Sequence, residues 1–381
     1  MQEMKPKIIR ATTVPQSLSF FDTTNSELQA KYEVLLLSSP GPQLEETGNR
    51  FGMKTILISM SRHISVFKDF VSLIKIVRAF KKIKPVMVHS MTPKAGLLCM
   101  IAARLVRVPV RVHTFTGLVF PTATGLKKRV LMLTDKVTCA CATHIIPEGE
   151  GVKADLINYG ITKKSLSVLG YGNVKGVDLS FFDRTPEVER KASLHRKDDV
   201  FTFLYVGRIV KDKGINELSE SFLRIHGNYP ETQLYLVGDY ENDLNPISEK
   251  ARSIIDSCDS IKTVGLQKGI DLLSYYAAAD CFVLPSYREG FPNTVLEAGA
   301  MGLPCIVTDI NGSREIVTDS FNGLVVPPGD AEALYKAMER VLNDVELCRR
   351  MASVSRSRIS ERYEQGFVGR CLMDYYSKIL S

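Results

Sequence analysis

Four charged side chains in the second half of this chain have the types and spacing to hold a phosphorylated ligand. Arg208 and Lys213 follow the apolar run FTFLYVG, which ends at Gly207, so both leave the carboxyl end of a strand. An arginine offers forked hydrogen bonds and a lysine a point charge, and two such cations suit a diphosphate. By itself the same turn also fits a solvated basic loop. Glu289 and Glu297 are separated by seven residues, one in the loop after the apolar run 281–284 and one on the helix that Phe291, Pro292, Asn293 and Thr294 begin. That spacing excludes an i, i+4 surface pair, and both carboxylates can face one crevice. Backbone N–H groups at the start of that helix attract phosphate oxygens.

The elements that must position these groups alternate between strand and helix. Strands are predicted at 7–10, 33–38, 54–58, 86–89, 110–114, 144–147 and 166–169, and again at 202–206, 233–237, 261–264, 281–284, 305–308 and 323–325. Two such series in 381 residues predict an α/β chain with two doubly wound parallel-sheet domains. The boundary is expected at 180/181, beside the charged, weakly periodic stretch 178–197. No window carries the roughly 18 apolar residues of a spanning helix, and MQEMKPKIIR lacks a signal-peptide core, so a cytoplasmic protein is expected. Eight cysteines without a C-x-x-C pair argue against zinc and against a disulfide framework.

Other nucleotide chemistries are disfavoured by their fingerprints. There is no G-x-x-x-x-G-K-[ST]. GYGNVKG (Gly170, Gly172, Gly176) has one residue too many for G-x-G-x-x-G and opens on a charged linker, so it reads as a flexible loop and a dehydrogenase is not expected. Residues 1–180 hold 25 Lys and Arg against 12 Asp and Glu, and residues 181–381 hold 24 against 30. A basic first half suits an anionic partner or a merely soluble basic surface.

The words GRIVKDKGI, LVGDYEN, AAADCFVLPSYREGFPNTVLEAGAMGLPCIVTDI and NGLVVPPGDAEAL, with the E-x7-E of Glu289 and Glu297, strongly resemble the family-4 retaining glycosyltransferases of the GT-B fold. The likeness extends through HSMTPKAGLLCMIAARLVRVPVRVHTFTGLVF to the last helix and is closest to the branch that builds capsular and lipid-linked polysaccharides. It implies two Rossmann-like domains facing a cleft: an acceptor domain, 1–180, on which a C-terminal helix at about 365–381 packs back, and a donor domain, 181–364. It implies a hexosyl- or N-acetylhexosaminyltransferase that uses a nucleotide-diphosphate sugar, expected to be UDP-linked, and a polyprenyl-diphosphate-linked or other glycan acceptor. No metal and no cofactor are expected. In the family the residues matching Arg208 and Lys213 hold the diphosphate, Glu289 contacts the donor sugar and Glu297 binds the ribose. Gly207, Gly290 and the amides of Phe291, Pro292, Asn293 and Thr294 complete the donor site, and Leu266 and Gln267 take the base. Glu297 as a plain helix-surface residue is the competing reading.

Two departures from the family affect the acceptor side. Many members carry a histidine where this chain has Thr116, just before Gly117, and Thr116 cannot act as a base near neutral pH. His113 is then the catalytic candidate, against the reading of a packed core histidine. In a front-face mechanism the leaving phosphate oxygen takes the acceptor proton and no protein base is needed. The loop Thr13-Val14-Pro15-Gln16-Ser17-Leu18 stands where relatives often carry a glycine-rich turn. His89, Thr92 and Lys94 leave a strand at a helix start and are candidates to receive an acceptor phosphate, with an ordinary surface lysine the alternative for Lys94, and Thr116 and Gly117 are acceptor-binding candidates beside them.

In the segment 66–85, Phe67, Phe70, Val71, Ile74 and Val77 form one helical face expected to be core. Lys68, Lys75 and Lys82, with Arg78, make a stripe that suits either water or the anionic inner face of a cell membrane. Nucleic acid is not expected, since tryptophan is absent and no aromatic platform accompanies the cations. A nucleotide-sugar epimerase or phosphorylase-like enzyme of the same fold, and a non-catalytic membrane-surface partner of a glycan-building complex, are the alternatives.

Overall fold

The computed structural model describes residues 5–61, 65–241 and 245–381. The chain divides into two compact units, one reaching to Lys175 and regaining Gln365–Ser381, the other Gly176–Glu364. The division falls five residues before the expected 180/181. Val177 already belongs to the second unit: it packs in that core, and its N–H bonds to Tyr363 O at 2.8 Å.

The first unit contains β1 (Lys7–Ala11), α1 (Asp22–Lys31), β2 (Glu33–Ser38), α2 (Pro42–Phe51), β3 (Lys54–Leu57), α3 (Val66–Ile83), β4 (Met87–Met91), α4 (Pro93–Leu105), β5 (Val110–Phe115), α5 (Gly125–Cys141), β6 (His144–Pro147) and α6 (Glu150–Asn158). Its parallel sheet has the order β3-β2-β1-β4-β5-β6. Helices on both faces bury the strands, which explains their near-continuous apolar runs. Residues 166–169, expected as a seventh strand, are irregular. One hydrogen bond, Ser167 N to Ile145 O at 3.1 Å, joins them to β6, and a ladder needs a repeating series.

The second unit contains α7 (Pro186–Ala192), β7 (Phe201–Val206), α8 (Ile215–Asn228), β8 (Thr232–Val237), α9 (Glu249–Ser257), β9 (Ile261–Thr263), α10 (Gly269–Ala278), β10 (Cys281–Leu284), α11 (Asn293–Ala300), β11 (Cys305–Thr308), α12 (Ser313–Ile316), β12 (Gly323–Val326), α13 (Ala331–Asn343) and α14 (Val345–Tyr363). Its sheet order is β12-β11-β10-β7-β8-β9, again parallel. The helix starts are encoded locally: Thr185, Ser248, Asp330 and Asp344 each accept an N–H from the first turn. The last helix, α15 (Gln365–Leu380), returns to the first unit and packs on α1, with Leu372, Met373 and Tyr376 buried.

The face of α3 expected in the core is turned outward at Phe67, Phe70, Val71 and Ile74, and only Val77 of the five packs against the core. Phe67 is 78% exposed and Phe70 60%, whereas Ser72, Ile76 and Phe80 are buried. Two polar anchors set this rotation. Asp69 pairs with Lys94 on α4, and the Ser72 hydroxyl donates to Ser59 O at 2.7 Å, so this polar side faces inward with Ile76.

Candidate active site

In each sheet the strand order reverses once, and loops that leave the carboxyl ends on either side of that point diverge to open a crevice. In the second unit the reversal lies between β7 and β10. The loop after β7 carries Gly207, Arg208 and Lys213, and the loop after β10 carries Glu289 and leads into α11. The two loops meet closely. A Cβ on Gly214, whose φ is +70°, would lie 2.0 Å from Pro285 O, so only glycine permits this approach.

That approach brings Lys213 and Glu289 into an ion pair, both largely buried, and the Ser286 hydroxyl donates to the same Glu289 oxygen at 2.7 Å. The loop is also fastened from outside the pair. Arg288 Nε and Nη2 donate to Asp212 Oδ2 at 3.2 and 3.0 Å, and Tyr287 N donates to Asp212 O at 2.8 Å. The Tyr287 hydroxyl donates to Glu217 on α8 at 2.6 Å, and burial with this carboxylate raises the phenol pKa.

Arg208 is exposed and pairs with Glu241 from the loop after β8. Ile209 N bonds to Asp239 O at 2.9 Å and Leu266 N to Asp239 Oδ1 at 3.1 Å, so the loops after β7, β8 and β9 form one rim. Leu266 is exposed there, and the Gln267 side chain donates to Val264 O of its own loop at 2.6 Å. Helix α11 starts at Asn293, directly after Gly290, Phe291 and Pro292, and places Glu297 one turn further. Glu297 accepts the Tyr276 hydroxyl at 2.9 Å; that phenol on α10 is fully buried, and burial and the carboxylate push its pKa well up. The structure thus brings Arg208, Lys213, Glu289 and the start of α11 to one carboxyl rim. Sequence reasoning missed Glu241, Tyr276 and Ser286. The tyrosine pair in SYYAAAD gave a local hint; Glu241 and Tyr276 come from a separate loop and helix, whereas Ser286 shares the Glu289 loop, three residues before it.

In the first unit the reversal lies between β1 and β4, and the loops after them meet through threonines. Thr13 N donates to Thr92 Oγ1 at 2.9 Å, the two hydroxyls lie 2.7 Å apart, and Ala95 N of α4 donates to Thr13 Oγ1 at 3.0 Å. Thr92 has φ +70°, a strained value for a β-branched residue, at the position where a ligand loop is expected. Thr116 and Gly117 stand half-buried in the loop after β5.

Two acceptor-side expectations are corrected here. His113 is 1% exposed and shares a 2.9 Å hydrogen bond with the Ser90 hydroxyl. Its ring lies against Gly96, where a Cβ would stand 2.3 Å from it. Burial depresses its pKa to about 3, so it is a neutral core histidine and reaches no acceptor. His89 is fully buried between Thr114 Oγ1, at 2.7 Å, and the Tyr376 hydroxyl of α15. Lys94 is not the ordinary surface lysine of the alternative reading: it holds Asp69 in a mostly buried ion pair.

Among the described residues no group of three or more His, Cys, Asp or Glu could hold a metal ion, and no helix is long and apolar enough to cross a membrane.

The pattern of the glycosyl transferases group 1 matches residues 187–358, and that of the glycosyl transferase 4-like domain matches residues 26–172. A capsular polysaccharide biosynthesis glycosyltransferase of Staphylococcus aureus, CapM, is 32% identical over 376 residues, covering 98% of this chain and 97% of its own length. The chain belongs to the family-4 glycosyltransferases. It is a transferase, which the fold by itself does not decide between that and an epimerase. The UDP-Gal:alpha-D-GlcNAc-diphosphoundecaprenol alpha-1,3-galactosyltransferase of Escherichia coli is 31% identical over 294 residues, 75% of this chain and 74% of that one. In fold the transferase is a GT-B protein: HepE of Anabaena, solved with UDP and glucose, superposes with a TM-score of 0.81 at 16% identity over 98% of this chain and 100% of that one.

Proposed function

We propose that this transferase moves a sugar from a UDP sugar to a polyprenyl-diphosphate-linked glycan, with retention of anomeric configuration, in bacterial surface polysaccharide synthesis. The observation that carries the reading is the Lys213–Glu289 pair at the β7/β10 reversal, with Arg208 on the same rim and α11 beginning beside it. A diphosphate entering there meets Lys213, Arg208 once it leaves Glu241, and the positive end of α11. Glu289, held by Ser286, faces the sugar, and Glu297, held by Tyr276, takes the ribose hydroxyls. The names of the relatives support the substrate classes, UDP-galactose and a diphosphoundecaprenol acceptor in the Escherichia coli enzyme.

The chemistry follows from what the site offers. The bond from the anomeric carbon to the phosphate oxygen breaks, and its electron pair leaves with the diphosphate. The acceptor hydroxyl forms the new bond on the same face, and its proton passes to the departing phosphate oxygen. Arg208 and Lys213 stabilise charge that grows on that leaving group, a role these cations fill without a metal or cofactor. With His113 buried, this route assigns no protein base. The acceptor's lipid keeps the reaction at the cytoplasmic face of the membrane, where Lys68, Lys75, Arg78 and Lys82 meet anionic headgroups.

The test is a panel of nucleotide sugars read by thermal shift and by transfer to a polyprenyl-diphosphate-linked saccharide, with the product's anomeric configuration determined by NMR. Stabilisation by UDP and its sugars, followed by a retained linkage, is the expected result. No stabilisation by any uridine or guanosine diphosphate, or an inverted linkage, overturns the reading.

A further inference from the structure

We propose that the outward face of α3 enters the membrane, so that this transferase is held at the bilayer by inserted apolar side chains as well as by charge. The inference rests on the membrane-bound acceptor proposed above and adds the means of attachment.

Phe67, Phe70, Val71 and Ile74 follow the i, i+3, i+4, i+7 spacing of one helical stripe, and all four are exposed. Two phenylalanines at 78% and 60% exposure on adjacent turns are not the scattered apolar residues that any surface carries. The rotation that exposes them is fixed by the inward Asp69–Lys94 pair and the Ser72–Ser59 bond, so the face is a consequence of the fold rather than of a loose helix. The same stripe continues with Arg78, Lys81 and Lys82, all exposed, while Lys68 and Lys75 flank it. One outward line is thus apolar over its first turns and cationic over its last.

Charge selects the occupant. Over residues 51–144 there are 16 Lys and Arg against two acidic residues, Asp69 and Asp135, and Asp69 is already paired with Lys94. This segment forms α3, α4 and α5, which pack side by side on one face of the sheet. On α5 the exposed Leu126 and Leu133 stand among Arg129 and Lys136 in the same mixed pattern. A second copy of this surface would bring cations against cations. Anionic headgroups over an acyl layer satisfy both parts, as in helices that lie in the membrane interface.

The chain contains no tryptophan, so a Phe67→Trp variant carries a single indole reporter on the stripe. With vesicles of phosphatidylglycerol and phosphatidylcholine its emission should shift to the blue and be quenched by acyl-brominated lipid. In sedimentation with the same vesicles, wild type should keep a bound fraction at about 1 M salt, where the Debye length is about 3 Å. A Phe67→Ser, Phe70→Ser double variant should lose that salt-resistant fraction, roughly tenfold or more in affinity for each ring removed. Its transfer to a water-soluble saccharide acceptor should not change. Charge reversal at Lys75 and Lys82 should instead remove the salt-sensitive part. Vesicle binding without a blue shift overturns insertion and leaves the electrostatic contact standing. No vesicle binding at about 0.1 M salt, where the Debye length is about 10 Å, overturns both. A blue shift that needs no lipid and grows with protein concentration assigns the face to a second copy and also overturns the proposal.

Discussion

Lys213 and Glu289 neutralise each other before any donor arrives, so a diphosphate must share the ammonium with the carboxylate. Removing the cation leaves a poorly solvated carboxylate and no counter-charge for the leaving group, and Lys213→Ala or Arg208→Ala should lower kcat by about 100-fold or more. The two glutamates should separate in steady-state kinetics: Glu289→Gln mainly depresses kcat and Glu297→Gln mainly raises the donor KM. Equal effects on both parameters in both variants would remove these roles. Arg208 pairs with Glu241 at an exposed position, and the proposed diphosphate has to displace that carboxylate. Exposed pairs are worth about 0.2–1 kcal/mol, so Glu241→Gln should tighten UDP binding by a few-fold at most, and a marked loss of affinity would mean that Glu241 itself contacts the nucleotide. The buried His113 gives a pH prediction. Its pKa is about 3 in the folded chain, well below its ordinary value of 6.5, so the unfolded chain binds the extra proton between those limits. Stability contributed by the neutral ring is therefore complete above about pH 6.5 and lost as pH falls toward 3, by up to about 1.4 kcal/mol per pH unit. Urea melts from pH 7 to 4 check it, and His113→Gln should flatten the slope.

Apart from α11 with Glu297, loops carry the candidate site, and each is held by contacts to its neighbour. The Arg288–Asp212 pair is partly exposed and adds little to stability. Its effect is positional, since it ties the Glu289 loop to the turn that carries Lys213. Arg288→Ala should lower kcat by roughly tenfold or more, as small misplacements of catalytic groups do, with almost no change in melting temperature. Unchanged turnover would show that the Gly214–Pro285 approach and the Tyr287–Glu217 bond suffice to hold the loop.

At the scale of the whole molecule, the chain leaves the first unit after Lys175 and returns to it at Gln365. The returning α15 buries Leu372, Met373 and Tyr376 in the first unit's core and supplies the hydroxyl that bonds His89. Deleting residues 365–381 should therefore destabilise the first unit, seen as protease cleavage within residues 5–175. The second unit, whose core includes none of these residues, should still be stabilised by UDP. Equal loss of both responses would show that the units do not fold separately.

The sequence by itself determined what depends on neighbours along the chain. Alternating apolar runs placed twelve strands, and the words around Arg208, Lys213, Glu289 and Glu297 grouped these residues at strand ends and one helix start, because a strand end, its turn and the next helix start are adjacent in sequence. Tertiary structure decided what depends on partners far apart. The spacing of Phe67, Phe70, Val71 and Ile74 shows a helical face but not its direction, which the Asp69–Lys94 pair and the Ser72–Ser59 bond impose. The residues 166–169 have the composition of a strand without a ladder to join. His89 and His113 read as chemistry because histidines at strand ends so often are. Only the packing of Tyr376 and Gly96 against them shows that they are buried structural groups.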